Sequence, residues 1–495
     1  MAQCVLAIDQ GTTGTTVMVV DAGGRIRARS YGLVRQFYPR PGWVEHDADQ
    51  IYRSVVKLGR EALAKAKLRA GDLAAIGITN QRETFVVWER KTGRPIHRAI
   101  VWQCRRSAEI CDGIRDREDE VTQRTGLLVD PYFSGTKLKW LLDHDPALRW
   151  RASRGELCFG TIDTWLIFKL SRGATFVTDF TNASRTLMLN LDRLEWDPAM
   201  LELLDVPPEI LATPVASRGP LAEAAAGIFG DRAIPIAASI GDQQSALFGQ
   251  GGVNAGDAKV TYGTGAFLLL NTGTERPQSR NRLLATAALG PGGEPGYALE
   301  GSVFIAGAAV QWLRDELKLF AKSADTRALA ARSSDRSAPY FVPAFVGLGA
   351  PYWDSGARGA IFGLTRGTTR ADLVRATLDS IAYQVHDVLI AMEKDSGYRI
   401  QELRVDGGAA TNNYLMQFQA DLFGRPVRRP SMAETTALGA AVLAGLAVGV
   451  WRSADELKTM RKLDRAFRPR MPADERERLL AGWRDAVSRT LSRAG

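Results

Sequence analysis

Apolar residues follow two rhythms along the first hundred positions. Short runs, "VLAID", "VMVVD", "AIGIT", "TFVVWE" and "AIVWQ", are bounded by Gly, Asp, Thr or Asn and predict strands. "ADQIYRSVVKLGREALAKAKL" instead spaces its apolar positions three and four apart, which predicts an amphipathic helix. Alternation of the two predicts an α/β fold. From about 136 to 235 the pattern turns helical and loop-rich, and strand signals return with "IPIAASIGD". The uncharged run 435–451, "TTALGAAVLAGLAVGVW", is short for a membrane span and rich in Ala and Gly, so it predicts a buried helix.

The pattern also repeats. "CVLAIDQGTTGTTVMVVDAGG", 4–24, reads strand, Gly-Thr turn, strand, and "DAKVTYGTGAFLLLNTG", 257–273, reads the same. Two such units about 250 residues apart predict a duplicated core with two lobes facing each other. In "LRVDGGAATNNYLMQFQADL", 403–422, a strand leads into a third Gly element and a helix. The lobe boundary is expected near 250, in "FGQGGVNAG". The expected division is 1–250, 251–449 and a C-terminal helical extension at 450–495.

Composition narrows the class. The 495 residues are 45% hydrophobic and 24% charged, as in ordinary globular proteins, and carry a formal charge of +9. Basic and acidic residues intermix, even in "ADERERLLAGWRDAVSR", so the charge predicts a solvated surface and no nucleic-acid partner. "MAQCVLAID" has no basic region, so no signal peptide is expected. Four cysteines without CxxC and four histidines without HExxH give no sign of structural zinc or a disulfide framework. The expected setting is the cytoplasm, without membrane insertion.

The Gly-Thr turns carry the chemistry. Gly lets backbone N–H groups approach an anion, Thr adds a hydroxyl donor, and Asp9 at a strand end offers a hard oxygen to Mg²⁺. Thr12, Thr13 and Gly14 on one hairpin, with Thr264 and Gly265 on the other, would grip a polyphosphate from both sides. No GxxxxGK[ST] occurs, which excludes a Walker-type loop. Arg82 and Glu83 offer a donor fork and an acceptor, Tyr132 a hydroxyl, and Trp102 and Phe267 apolar walls. Taken singly, Arg82 and Glu83 also read as a surface pair, Trp102 as core, and Asp242 as a helix N-cap.

Asp-x-Gly-Thr first, a second Gly-Thr hairpin and a late Gly-Gly resemble the actin, Hsp70 and sugar kinase superfamily. That implies two lobes, each with a ribonuclease H-like (actin-type) core, and an active site in the cleft between them. "YFSGTKLKWLLDH", 132–144, and "GAIFGLTRGTTRADLVRATLD", 359–379, resemble the two signature stretches of the FGGY carbohydrate kinases. Within that family, "NQRETFVVWE", "VWQCRR", "DPYFSGTK", "GDQQSALFGQ", "YGTGAF" and "EGSVFIAGAAVQWLRD" are similar to the members that phosphorylate glycerol.

The resemblance implies transfer of the ATP γ-phosphoryl group to glycerol with Mg²⁺, in a homo-oligomer, dimer or tetramer. It makes Asp242 the general base and places Gln243, Arg82, Glu83, Trp102, Tyr132 and Phe267 around glycerol. Gly307, Gln311, Gly408 and Asn412 would face adenosine and ribose, with helix packing an equal reading for Gly307. Two positions depart from the family: Thr16 stands where relatives carry Arg, and Ala233 stands where members regulated by fructose 1,6-bisphosphate carry Arg, so that regulation is not expected. Rival readings are a kinase for another polyol or ketose, and an ATP-hydrolysing scaffold of the actin or Hsp70 type.

Overall fold

The computed structural model describes residues 4–333, 338–432, 434–453, 456 and 463–492. The first apolar run forms the strand Cys4–Gln10, which turns at the Gly-Thr element into the antiparallel strand Gly14–Asp21 and then Ile26–Leu33. On its other side Leu73–Asn80 pairs in parallel, followed in parallel by Ile234–Gly241 and, antiparallel at the edge, Arg218–Ala224. The four central strands, Cys4–Gln10, Gly14–Asp21, Leu73–Asn80 and Ile234–Gly241, are buried on both faces, which is why they read as near-continuous apolar runs.

The second sheet follows the same plan. Ala258–Tyr262, Ala266–Gly273 and Pro295–Val303 are successive antiparallel neighbours. Leu403–Asp406 and Val427–Pro430 add in parallel, and Leu463–Phe467 closes that edge antiparallel. One strand, Leu284–Leu289, has no counterpart in the first sheet and pairs at the far edge. The chain is thus a two-lobed α/β protein whose halves repeat one topology, and each half buries its own core.

This register sets the site. Gln10 pairs with Asn80, and Gly241 pairs with Asn80, so three parallel strands end side by side. The segments that follow them, 11–13, 81–84 and 242–243, emerge together at one sheet edge, where ligands of α/β sheets bind. In the second lobe Thr261 pairs with Asp406, which brings the turn 263–265 beside Gly407 and Gly408.

The uncharged run forms the buried helix Thr435–Ala447. It lies in sequence between two strands of the second sheet yet packs on the first, against Val5, Ala7, Met18, Ala75 and Ile240. Its contact with the helix Asp242–Gly249 is backbone to backbone: a Cβ on Gly439 would lie 2.0 Å from Ser245 O, and one on Gly249 2.1 Å from Thr435 O.

Three details depart from the sequence pattern. "AIVWQ" gives a strand only at Ala99–Ile100, because the Trp102 N–H leaves the ladder to donate to Thr84 Oγ1 at 3.1 Å. That short strand belongs to a separate five-stranded sheet with Gln36–Phe37, Glu45–His46, Phe85–Glu89 and Leu157–Thr161. Beyond residue 450 the described residues hold the strand Leu463–Phe467 and the helix Ala473–Thr490, whose Leu479, Leu480 and Trp483 join the second core. Residues 454–455, 457–462 and 493–495 of that segment lie outside the described residues.

Candidate active site

Arg82 leaves the end of Leu73–Asn80 and is 2% exposed, so its charge needs partners. It finds them across the cleft: its two terminal nitrogens donate to the Glu300 carboxylate at 2.5 and 2.9 Å. Arg185, in the turn after the short helix Phe180–Ala183, donates to Glu83 at 2.7 Å and to Glu300 at 3.0 Å. Arg82 and Glu83 are therefore members of a buried quartet with Arg185 and Glu300, and not a surface pair. Burial works to raise the Glu300 carboxyl, but Arg185 and Arg82 overcome it and hold it below its usual range. Glu83 moves the other way: burial outweighs the two arginines and raises it. Its backbone is left-handed, with φ +60, a conformation kept where surrounding contacts enforce it.

Asp242 is the first residue of the helix Asp242–Gly249, and Gly241 occupies the N-cap. Its carboxylate accepts from the Gln243 N–H at 2.7 Å and lies 3.3 Å from Arg82 Nε. Burial raises this carboxyl, and Arg82 and Lys259 oppose the rise. Arg82 Nε and Arg185 Nη1 have no hydrogen-bond acceptor among the described residues. Two buried N–H groups beside acidic side chains are what a small hydroxylic ligand would satisfy.

The aromatic walls meet across the two lobes. Trp102 packs edge-on to Tyr132 at 5.5 Å and to Phe267 at 5.9 Å. Tyr132 also lies under the Arg185 guanidinium, and burial pushes its hydroxyl pKa up. The indole N–H of Trp102 donates to Thr12 Oγ1 at 2.9 Å, so one wall is fastened to the first Gly-Thr turn.

Both turns close with the same kind of bond, Gly11 N–H to Gly14 O at 2.9 Å and Gly263 N–H to Gly265 O at 2.8 Å. Thr13 and Thr264 stand exposed at the tips. The Gly307 N–H donates to Gly263 O at 3.0 Å, and a Cβ on Gly307 would lie 2.5 Å from that oxygen. Gly307 thus lets the helix Gly307–Asp315 pack against the second turn, while Gln311, one turn further on, is exposed. Nothing lies within 4 Å of a Cβ on Gly408, so that position is open. Asn412 caps the helix Asn413–Phe423 by accepting from Tyr414 and Leu415 N–H, and its amide donates to Thr326 Oγ1 at 3.1 Å.

Asp9 is the penultimate residue of the strand Cys4–Gln10. Burial, reinforced by Asp242 and then Glu434, pushes its carboxyl up to about 7. Carboxylates that repel one another invite a cation. Among the described residues no group of three or more His, Cys, Asp or Glu could hold a metal ion. A site of one or two carboxylates is the kind that suits Mg²⁺, which keeps waters and takes phosphate oxygens as further ligands.

Sequence reasoning assigned no role to Glu300, Arg185 or Lys259. Lys259 is fully buried and donates to Gln243 Oε1 and to Thr261 Oγ1. Its burial lowers the ammonium pKa to about 8 against the pull of Asp406 and Asp242. Glu300 and Lys259 did leave a signal, a charge inside an apolar strand pattern in "YALEGSV" and "DAKVTYG". A charge there must be paired.

Comparison with known proteins agrees with this geometry. The FGGY family of carbohydrate kinases matches in two parts, its N-terminal domain over residues 4–249 and its C-terminal domain over 258–448. Glycerol kinase 2 of Thermotoga maritima is 53% identical over 489 residues, spanning 98% of each chain. A glycerol kinase of an Enterobacter species is 54% identical over 490 residues, 99% of this chain and 98% of its own. The crystal structure of Plasmodium falciparum glycerol kinase with ADP superposes with a TM-score of 0.92 at 36% identity, covering 99% of this chain and 98% of that one. A xylulose kinase of Lactobacillus acidophilus shares the fold, with a TM-score of 0.87 at 22% identity over 98% of each chain. With both family domains matched in order and the buried quartet lying between them, the chain belongs to the FGGY family of carbohydrate kinases.

Proposed function

We propose that this protein transfers the γ-phosphoryl group of ATP to glycerol, giving sn-glycerol 3-phosphate and ADP. The observation that carries the reading is the convergence of Arg82, Glu83, Tyr132, Asp242 and Gln243 behind the Trp102 and Phe267 walls, with two buried arginine N–H groups lacking acceptors. Glycerol has three hydroxyls on a short carbon chain, so a selective site bonds the hydroxyls and covers the C–H faces. The full-length relatives named glycerol kinases support the same substrate.

In this reading Asp242 accepts the proton of the attacking hydroxyl, and Arg82 at 3.3 Å opposes the rise that desolvation gives its carboxyl. Arg82 and Glu83 orient the polyol, and Gln243 bonds a hydroxyl beside Asp242. Thr12, Thr13 and Gly14 meet the polyphosphate from one lobe, Thr264 and Gly265 from the other. Gly307, Gln311, Gly408 and Asn412 border the adenosine. Phosphoryl transfer needs positioning and charge stabilisation more than covalent chemistry. Mg²⁺ held at Asp9 would neutralise and order the polyphosphate. Closure of the lobes over both substrates keeps water from the phosphoryl group.

The test is product identity. Purified protein incubated with MgATP and glycerol should form one phosphate ester, oxidised completely by a dehydrogenase specific for sn-glycerol 3-phosphate. A different ester, or ADP formation without ester, would refute the reading.

A further inference from the structure

Lys259 lies in the strand Ala258–Tyr262, just before the second Gly-Thr turn, and its side chain is wholly buried. A buried ammonium persists only where other groups compensate it. Its Nζ donates to Gln243 Oε1 and to Thr261 Oγ1 at 2.8 Å. Asp406, Asp242 and Glu300 face it from three other elements, and Arg82 is the opposing cation. The bond to Gln243 joins the two family domains: Lys259 lies in the second, Gln243 at the end of the first.

Lysine is a donor only, so the bond fixes which end of the carboxamide faces it. The Gln243 oxygen turns to Lys259, and the NH₂ end is left for the substrate. Without that bond the terminal torsion of a glutamine is soft, and either end could face the cleft. Asp242, the preceding residue, is an acceptor only when ionised. A hydroxyl held by both gives its proton to Asp242 and accepts the Gln243 N–H on a lone pair. The oxygen's other lone pair stays free to attack.

We propose that Lys259 is a positioning residue, locking the Gln243 carboxamide as a donor toward the hydroxyl that Asp242 deprotonates. The identity of that hydroxyl rests on the glycerol reading, whereas the orientation of Gln243 does not. Because the lock crosses the cleft, it is complete only when the two lobes meet.

A double-mutant cycle separates positioning from bulk structure. Lys259→Met keeps the apolar stem and removes the donor. It should lower kcat/KM for glycerol about 30-fold, the loss of one buried hydrogen bond, with the KM for MgATP within about twofold of wild type. In a Gln243→Ala background the same substitution should cost less than about threefold, since there is no carboxamide left to orient. Lys259→Arg, still a donor, should recover part of the loss. Equal losses in both backgrounds, or a wild-type rate in Lys259→Met, would overturn the proposal. If Lys259→Met does not fold, Gln243→Glu decides: it accepts from Lys259 but has no N–H to offer, so it should lose as much as Gln243→Ala. Near-wild-type turnover there would overturn the proposal. If wild-type protein prefers another polyol, the glycerol reading fails, and the same cycle run on that polyol judges Lys259 independently.

Discussion

Asp242 and Glu300 are both acids paired with Arg82, yet their surroundings push their carboxyls in opposite directions. Asp242 is raised by burial and stands where a proton can be taken up, while two guanidiniums hold Glu300 ionised. Asp242→Asn should therefore lower kcat about a thousandfold or more while ATP affinity, read by nucleotide titration, stays near wild type. Loss of nucleotide binding with turnover intact would contradict the assignment. Glu300→Gln strands two buried arginines without enough countercharge, so it should cost about 3–5 kcal/mol of stability and raise the glycerol KM as Arg82 loses its anchor. A melting temperature equal to wild type would show the quartet to be dispensable. From sequence, Arg82 and Glu83 could be picked out because they stand together in one loop. Their partners could not be paired with them: Glu300 is 218 positions from Arg82, and Arg185 is 102 from Glu83.

At the level of elements, the strands that were legible are those buried on both faces, since a continuous apolar run bounded by Gly or Asp has few other readings. Of the five-stranded sheet, "TFVVWE" and "AIVWQ" were read as strands, but the sheet itself was not legible, because three of its strands are two residues long. That sheet nevertheless supports the site. His46, in the strand Glu45–His46, is buried beside the Gln81 amide at 3.4 Å, and Gln81 donates to Gln10 Oε1 at 3.0 Å. Burial lowers the His46 pKa from 6.5 to about 4. Its folded pKa lies below its unfolded one, so the unfolded chain takes up the proton first, and stability present above pH 6.5 is lost as pH falls toward 4. The loss is about 3 kcal/mol. Denaturant midpoints measured across that window should fall in wild type and flatten in His46→Gln. An identical slope in the variant would rule His46 out as the source.

For the whole molecule, duplication explains why two hairpins so far apart in sequence face one cleft: each is the first turn of the same topology, and parallel strands beside each bring the next loops to the same edge. The repeat was visible in the Gly-Thr spacing. The path of Thr435–Ala447 onto the opposite lobe was not, because an Ala- and Gly-rich helix reports burial without reporting against what. Glycines at the helix contact bring the two helix backbones together, while Arg82 and Asp242 from the first lobe face Phe267 and the second hairpin of the other. On the proposed reading the polar groups bond a polyol, and the Trp102, Tyr132 and Phe267 cluster limits its size. Steady-state ADP production from MgATP, compared across glycerol, erythritol, xylulose and no acceptor, tests this account most directly. Glycerol should give a kcat/KM at least about a hundredfold above the larger acceptors and raise ADP formation by orders of magnitude over the acceptor-free rate. A higher kcat/KM for xylulose, or ADP formation indifferent to glycerol, would contradict it.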